Sequence, residues 1–282
     1  MTASLAERLG YGADERLLIV NCDDLGSSHA ANVAIEHSIR RGFATSATLM
    51  VPCPWAFEAV NSLADLDIGV HLTLTAEYPG YRWRSLTGAA SLHNADGFLP
   101  LTTREVFAKA DLGDVRAERR AQIDQALTWG VDVTHLDSHM GSVQTDARFF
   151  AVYAELAVEF DLPLRMAGAK GERALGFECR RPAAELGLLF TDHFLSPPWG
   201  EPTRPVLLDS LSRLRPGVTE IYLHPVADGP ELRAYDKAAA DIRAGDHVNL
   251  LDDELRAILE DRAVRLISYR PLRDLQRGLV HA

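Results

Sequence analysis

Aspartate and histidine residues in this chain stand where apolar segments end, at four widely separated places. Asp23 and Asp24 follow the apolar segment LLIVN, and His71 lies in GVHLTL. His139 closes the segment THLDSH, and His224 follows IYL. Buried carboxylates and imidazoles are costly unless they are paired, hydrogen-bonded or bound to a metal. The pattern therefore predicts that these side chains share one site.

The donor types at these positions indicate a catalytic metal site. One carboxylate with two imidazoles forms a three-ligand set that keeps positions open for water and substrate. Such donors suit Zn²⁺ or a similar transition ion, and Mg²⁺ stays open as well. In THLDSH, the spacing of two places His135, Asp137 and His139 on one side of an extended chain. Motifs of serine hydrolases, zincins and P-loop NTPases do not occur.

Short apolar segments that alternate with amphipathic helical patterns must position these residues. Such alternation indicates a parallel sheet covered on both faces. Strands are expected at 17–21, 46–51, 67–74, 131–137, 162–167, 188–191, 219–224 and 264–268. Helices are expected at 31–41, around Ile123 with Asp114 as N-cap, and around Tyr153. Seven or eight such units in 282 residues predict a closed (β/α) barrel. An open doubly wound sheet is the alternative, but the dinucleotide fingerprint G-x-G-x-x-G is absent.

The chain is expected to be a single domain over residues 1–282, with a core from about 16 to 275. The stretch 76–114 is long for a connection between a strand and a helix, and long loops at the carboxyl end of a barrel often build the active site. We expect an insertion at the active-site face, with a packed surface excursion as the alternative.

Composition excludes several classes of function. The net charge is −11, which argues against nucleic-acid binding because phosphates require a basic face. The mean hydropathy is −0.07, and no apolar run reaches 18 residues, so no membrane span is expected. The first residues do not resemble a targeting signal, which predicts a cytoplasmic protein. Three widely spaced cysteines without C-x-x-C suggest neither disulfides nor a thiolate zinc site.

The order of these motifs resembles that of the YdjC-like carbohydrate deacetylases, the family of chitooligosaccharide deacetylases and hopanoid-type relatives. LLIVNCDDLG, with Asn32 after it, is similar to the opening motif of the family. GVHLTLT, THLDSH, LR, LHP and LISYR follow in the same order as the later motifs. The resemblance extends from about residue 16 to about 275. It implies a metal-dependent N-deacetylase that acts on a small carbohydrate, on a distorted (β/α) barrel.

The resemblance also implies roles for individual residues. Asp24, His71 and His139 would bind one divalent ion, Mg²⁺ or Zn²⁺. Asp23 would be the general base, and His224 would be the general acid or assist it.

Further residues would support this centre or contact the substrate. Arg165 would lie near the site, and Asp137 would orient a ligand histidine, with a plain structural hydrogen bond as the alternative. His135 is expected to fix the strand end, with metal binding as the alternative. Tyr81 and Trp83 would stack on a sugar ring, with ordinary packing as the alternative.

The chain departs from the family pattern after the last motif histidine. Many members continue there with further histidines, whereas this chain reads Met140, Gly141, Ser142. We therefore expect a changed pocket, which suits a short or decorated N-acetyl sugar better than long chitin oligomers. A metal-dependent barrel isomerase or phosphoesterase, and a sugar-binding relative without catalysis, are the alternatives. Whether the protein forms a homodimer is left open.

Overall fold

Seven parallel strands form one curled sheet in the computed structural model, which describes residues 3–279. They are β1 (Arg16–Leu25), β2 (Ser46–Leu49), β3 (Ile68–Leu72), β4 (Leu136–Ser138), β5 (His193–Leu195), β6 (Gly217–Leu223) and β7 (Val264–Leu266). The strand order is β4-β3-β2-β1-β6-β5, and β7 pairs with the first residues of β1. All of these pairings are parallel, so the carboxyl ends of the strands meet at one edge.

Strand β1 is the centre of the sheet. It is ten residues long and buried from Leu17 to Leu25. β6 pairs along one side of it, while the other side pairs first with β7 and then with β2. This burial on both faces explains the apolar run from Leu17 to Val20 in the first half of β1.

The sheet curls toward closure between β4 and β5 through irregular chain. Leu136 in β4 forms an isolated bridge with Leu164, and the Leu164 N–H donates to the carbonyl of Leu189 over 3.0 Å. Single hydrogen bonds of this kind continue the curvature without a regular strand. The distorted (β/α) barrel predicted from the sequence is confirmed.

Helices cover the outside of the sheet. They are α1 (Leu5–Arg8), α2 (His29–Arg40), α3 (Ala56–Leu63), α4 (Thr103–Lys109), α5 (Leu112–Thr128), α6 (Ala147–Phe160), α7 (Ala169–Leu175), α8 (Arg180–Glu185), α9 (Arg204–Ser212), α10 (Pro230–Tyr235), α11 (Ala240–Leu250), α12 (Asp253–Asp261) and α13 (Arg270–Gln276). Two 3₁₀ turns lie at Ala90–Leu92 and His139–Gly141. Among residues 3–279, no helix has the length and apolar character that a bilayer crossing requires.

Helix α5 begins earlier than the sequence analysis predicts. Its N-cap is Asp111, whose carboxylate accepts from the N–H groups of Gly113 and Asp114, so the prediction of Asp114 as the cap is wrong. Both aspartates favour a helix start, because each can bind free N–H groups and interact with the helix dipole. The helix ends before Gly130, whose φ of +86° is typical of a residue just past a C-cap.

Three strand predictions differ from the structure. The segment 131–137 contributes only its last residues to β4, and the segments 162–167 and 188–191 form no regular strand. Their side chains are mostly buried, but their backbones make only isolated contacts with the sheet. Burial therefore explains the apolar sequence without requiring a ladder of hydrogen bonds. β5 lies two residues beyond the predicted segment 188–191.

Candidate metal centre

The end of β1 places two adjacent carboxylates in different surroundings. The register between β1 and β2 shifts between Cys22 and Leu25, and Asp24 has a φ of +67°. Aspartate tolerates this left-handed region better than most residues, although it remains strained there. The irregular backbone allows Asp23 and Asp24, both 3% exposed, to contact separate sets of buried partners.

Asp24 contacts both histidines that were predicted to bind metal. Its Oδ1 lies 3.3 Å from Nε2 of His71 and 3.2 Å from Nδ1 of His139. One donor atom of each residue lies within 4.8 Å of the others, and all three side chains are buried. β1, β3 and the 3₁₀ turn after β4 supply these groups.

The second nitrogen of each histidine contacts a carboxylate. Nδ1 of His71 lies 2.6 Å from Oδ1 of Asp137, and Nε2 of His139 lies 2.8 Å from Oε2 of Glu77. Carboxylates in this position orient metal-binding histidines and fix their tautomer. His71 Nε2 and His139 Nδ1 are therefore left facing Asp24, and this donor set fits one divalent cation.

The histidines carry positive charge when no ion is bound. Burial opposes this charge, but Asp137 and Asp24 raise the pKa of His71 to about 10. Burial opposes it at His139 too, where Glu77 and Asp24 raise the pKa to about 9. Binding of a cation would release these protons, because an imidazole must give up a proton to coordinate a metal.

The other oxygen of Asp24 is held by a buried arginine. Arg243 of α11 donates to Asp24 Oδ2 over 2.7 Å, to Asp236 over 2.8 Å and to the Tyr78 hydroxyl over 2.8 Å. Burial favours the neutral acid, but the Arg243 guanidinium keeps the pKa of Asp24 well below its ordinary value. Asp24 is thus ionised and fixed in orientation.

Asp23 pairs with a different arginine. Arg165 donates to both oxygens of Asp23, over 2.6 and 2.7 Å, and Asn21 donates to Oδ1 over 2.9 Å. Burial opposes ionisation, but Arg165 lowers the pKa of Asp23 to about 2. Arg165 also contacts Asp137 at 2.8 Å and Glu220 at 2.7 Å. Each nitrogen of this buried guanidinium is therefore engaged by a carboxylate.

His224 lies at the end of β6, half-buried and next to an exposed aromatic ring. Its imidazole is edge-on to the indole of Trp199, with ring centroids 5.0 Å apart. Its backbone N–H donates to Asp246 over 2.9 Å. Burial lowers the pKa of His224 below its ordinary value.

The remaining residues singled out in the sequence lie behind or beside the centre. Trp83 is 3% exposed, and its indole N–H donates to the Thr75 carbonyl. Its ring centroid lies 6.3 Å from that of His139. Tyr81 is partly buried and donates to the Ser27 carbonyl over 2.6 Å. His135 stacks on Tyr269 at 3.7 Å and contacts none of the three predicted ligands. The structure thus brings Trp83 to the edge of the centre and leaves His135 behind it.

Sequence reasoning did not find Glu77, Arg243 and Trp199. Glu77 lies in the long loop after β3, and Arg243 is 219 residues from the aspartate that it contacts. The sequence does contain a signal for Trp199, because tryptophan in the segment SPPWG is an unusual residue for a loop. No comparable signal marks Glu77 or Arg243.

The site can be compared with known proteins. A family model described as YdjC-like protein matches residues 17–261. A carbohydrate deacetylase from Thermus thermophilus is 34% identical, covering 93% of this chain and 98% of the relative. A carbohydrate deacetylase from Geobacillus stearothermophilus is 31% identical, covering 90% of this chain and 97% of the relative.

A solved structure shares the fold. It is an Enterococcus faecalis V583 protein provisionally described as a cellobiose-phosphate cleavage protein. The TM-score is 0.79 at 25% identity, covering 92% of this chain and 99% of the other. Both the family match and the relatives span most of the chain, and the chain belongs to the family of YdjC-like proteins.

Proposed function

We propose that this protein is a metal-dependent hydrolase that removes the N-acetyl group from an N-acetylated sugar. The observation that carries the proposal is the contrast between two neighbouring carboxylates. Asp24 faces His71 and His139 in a buried donor set, while Asp23 groups with His71 and Asp137 and has both of its oxygens paired with Arg165. One ion-binding carboxylate beside one free of that task suits hydrolysis. The relatives named carbohydrate deacetylase support the substrate class.

Asp24, His71 and His139 would hold one divalent ion, Zn²⁺ or Mg²⁺. Such an ion polarises an amide carbonyl and acidifies a water molecule when it is bound. Asp23 accepts the proton of the attacking water in this proposal. Its oxygens accept three hydrogen bonds, from Arg165 and Asn21. An ionised carboxylate has about four acceptor positions, so one remains for the water.

His224 donates a proton to the departing amine. It comes from a different strand than the base, which allows acid and base to approach the amide from different sides. Burial lowers its pKa, so the imidazole is neutral near pH 7 until it receives a proton, and it then gives that proton up readily. Release of the amine completes the cleavage of the C–N bond and leaves acetate.

The segment 76–114 acts as an insertion that covers the site in this proposal. Glu77 contacts His139, and Tyr78 contacts Arg243. Trp83 lies beside the same histidine. The segment thus supports the ion-binding residues from outside the sheet. Direct stacking of Tyr81 or Trp83 on a sugar finds less support, because both side chains are hydrogen-bonded within the protein.

The function is tested by acetate release from N-acetylglucosamine, its dimer and chitin tri- and tetramers. Metal-stripped protein should be inactive and should recover activity with Zn²⁺ or Mg²⁺. The Asp23→Asn variant should bind the ion without turnover. We expect a short or decorated sugar to be the best substrate, and highest activity on the tetramer would contradict that expectation.

The same assay separates the alternatives. Phosphate release from a sugar phosphate, or isomerisation without acetate, would favour the other enzyme classes. Sugar binding without any turnover by the metal-loaded protein would favour a binding relative.

A further inference from the structure

Trp199 is the most exposed of the aromatic residues that lie against the candidate site. It is 60% exposed, although its indole approaches His224 and Arg243. Large exposed aromatic groups next to a polar cleft commonly mark ligand contacts. Neither the fold nor the metal centre explains why this tryptophan is exposed, so its exposure requires a separate explanation.

The position of the indole is fixed from one side. The Arg243 guanidinium lies over the ring, 5.1 Å from its centroid, and the same arginine donates to Asp24 over 2.7 Å. A cation over an aromatic face is attractive, more so when it is buried, as Arg243 is. Because the residue is 60% exposed, much of the indole away from Arg243 is open to solvent.

The loop that presents Trp199 is stiff. It follows β5 at the edge where the ends of β1 and β6 also lie, and Pro197 and Pro198 precede the tryptophan directly. Proline restricts the backbone, and a restricted loop loses less conformational entropy when a ligand binds. At the start of the loop, the Ser196 hydroxyl hydrogen-bonds to that of Tyr222 at 2.8 Å, which ties the loop to β6.

We propose that Trp199 stacks on the apolar face of the pyranose ring that carries the N-acetyl group. The inference rests on the function proposed above and adds the residue that recognises the sugar. One guanidinium separates the indole from the ion-binding Asp24, and His224 lies at the edge of the ring. A sugar on the exposed part of this indole would lie across the ring from Arg243, with its N-acetyl group directed past the ring toward His224. Trp199 is a substrate-positioning residue of the site.

The test compares Trp199→Ala, Trp199→Phe and the control Phe57→Ala. Phe57 is 55% exposed and packs on Trp129, so it matches Trp199 in exposure without touching the site. For an N-acetyl sugar, Trp199→Ala should raise KM roughly tenfold and change kcat little, as expected for loss of one aromatic contact. Trp199→Phe should recover most of the affinity. Cleavage of a small acetanilide without a sugar ring should fall less than cleavage of the sugar.

Two results would overturn the inference. One is a KM of Trp199→Ala equal to that of Phe57→Ala. The other is an equal loss of activity on the sugar and on the acetanilide, which would indicate general damage to the site. Metal content and the thermal unfolding midpoint show whether each variant is folded and loaded.

A direct binding measurement separates this inference from the proposed function. N-acetylglucosamine is titrated into metal-loaded wild type and Trp199→Ala by calorimetry. Weaker binding to the variant supports the stacking role even if no acetate is released. Equal binding rejects it even if deacetylation is observed.

Discussion

Asp23 and Asp24 are neighbours in the chain, yet each is bound to a different arginine. Arg165 holds Asp23 from the segment after α6, and Arg243 holds Asp24 from α11. Each guanidinium keeps one carboxylate ionised in a buried environment, where an unpaired charge would be very costly. This difference in partners would let two identical side chains perform the different tasks proposed for them.

The two aspartates can be distinguished by amide substitution. Asp23→Asn keeps the shape but removes the basicity, so metal content should stay near that of the wild type. Turnover should fall by about 10²–10⁴, the usual contribution of a positioned general base. Asp24→Asn should instead weaken metal binding first, with partial recovery of turnover at high metal concentration. Metal analysis and turnover are measured together on both variants, and loss of metal only from Asp23→Asn would show that the roles are reversed.

Glu77 is expected to tune the metal site from outside the ligand set. Its carboxylate lies 2.8 Å from Nε2 of His139, and replacement by glutamine keeps an acceptor while removing the charge. Glu77→Gln should weaken metal affinity by about 10–100-fold. Chelator competition measures that affinity, with Glu201→Gln on an exposed loop as the control. Equal affinities of the two variants would exclude this role for Glu77.

At the scale of elements, continuous apolar strands could be predicted and irregular chain could not. Four strands are buried along most or all of their length and form regular hydrogen-bond ladders, namely β1, β2, β3 and β6. Their apolar sequences therefore predict strands correctly. The segment 162–167 is also largely apolar, but its backbone makes only isolated bonds to the sheet, from the Leu136 N–H to the Pro163 carbonyl and from the Arg165 N–H to the Leu136 carbonyl. Burial can be predicted from apolar residues. Whether a buried segment forms a regular ladder of hydrogen bonds or an isolated bridge depends on which segments pack beside it, and the sequence does not identify those segments.

The candidate site shows the same division. Asp24, His71 and His139 follow apolar segments, so a pattern of residue types could suggest them. Arg243 lies inside an amphipathic helix, where arginine is usually a surface residue. Only the packing of α11 against α2 and the end of β1 turns it into a buried partner of Asp24.

The turn after β1 is expected to be intolerant of side chains. Gly26 has a φ of +84°, and a Cβ there would lie 2.8 Å from the Cα of Ala56. Gly26→Ala should lower the free energy of unfolding by about 2–5 kcal/mol, through backbone strain and overpacking. Gly130→Ala is the control, because Gly130 has a φ of +86° but open space around it. It should cost only about 1–2 kcal/mol. Urea unfolding gives both values, and equal losses would mean that the contact with Ala56 relaxes freely.

At the scale of the whole molecule, an ion at this centre would connect parts of the chain that are far apart in sequence. Its donors come from β1, β3 and the turn after β4. A ligand that binds only the folded state adds about 2.7 kcal/mol at a concentration 100 times its dissociation constant. A chelator should therefore lower the thermal midpoint of the wild type. The same treatment should leave His139→Ala almost unchanged, and equal shifts in both proteins would place the stabilising ion elsewhere.

Stability should also depend on pH through a buried histidine that is not one of the predicted ligands. His135 is fully buried against Tyr269, and its Nε2 has no hydrogen-bond partner among residues 3–279. Burial lowers its pKa well below the ordinary value of 6.5, so the folded protein keeps this imidazole neutral. Below that value the unfolded chain binds a proton that the folded chain excludes. The contribution to stability is therefore present above pH 6.5 and is lost as the pH falls, by about 1.4 kcal/mol per unit.

His135→Phe keeps an aromatic ring on Tyr269 but cannot titrate. From pH 6.5 to pH 5, the free energy of unfolding of His135→Phe should fall less than that of the wild type, by about 1 kcal/mol per pH unit on average. Urea unfolding of both proteins without metal measures the difference, in which contributions of all other groups cancel. Parallel curves would show that His135 binds its proton equally in the folded and unfolded states. Because the prediction concerns the slope, any packing cost of the phenyl ring shifts one curve without changing the outcome.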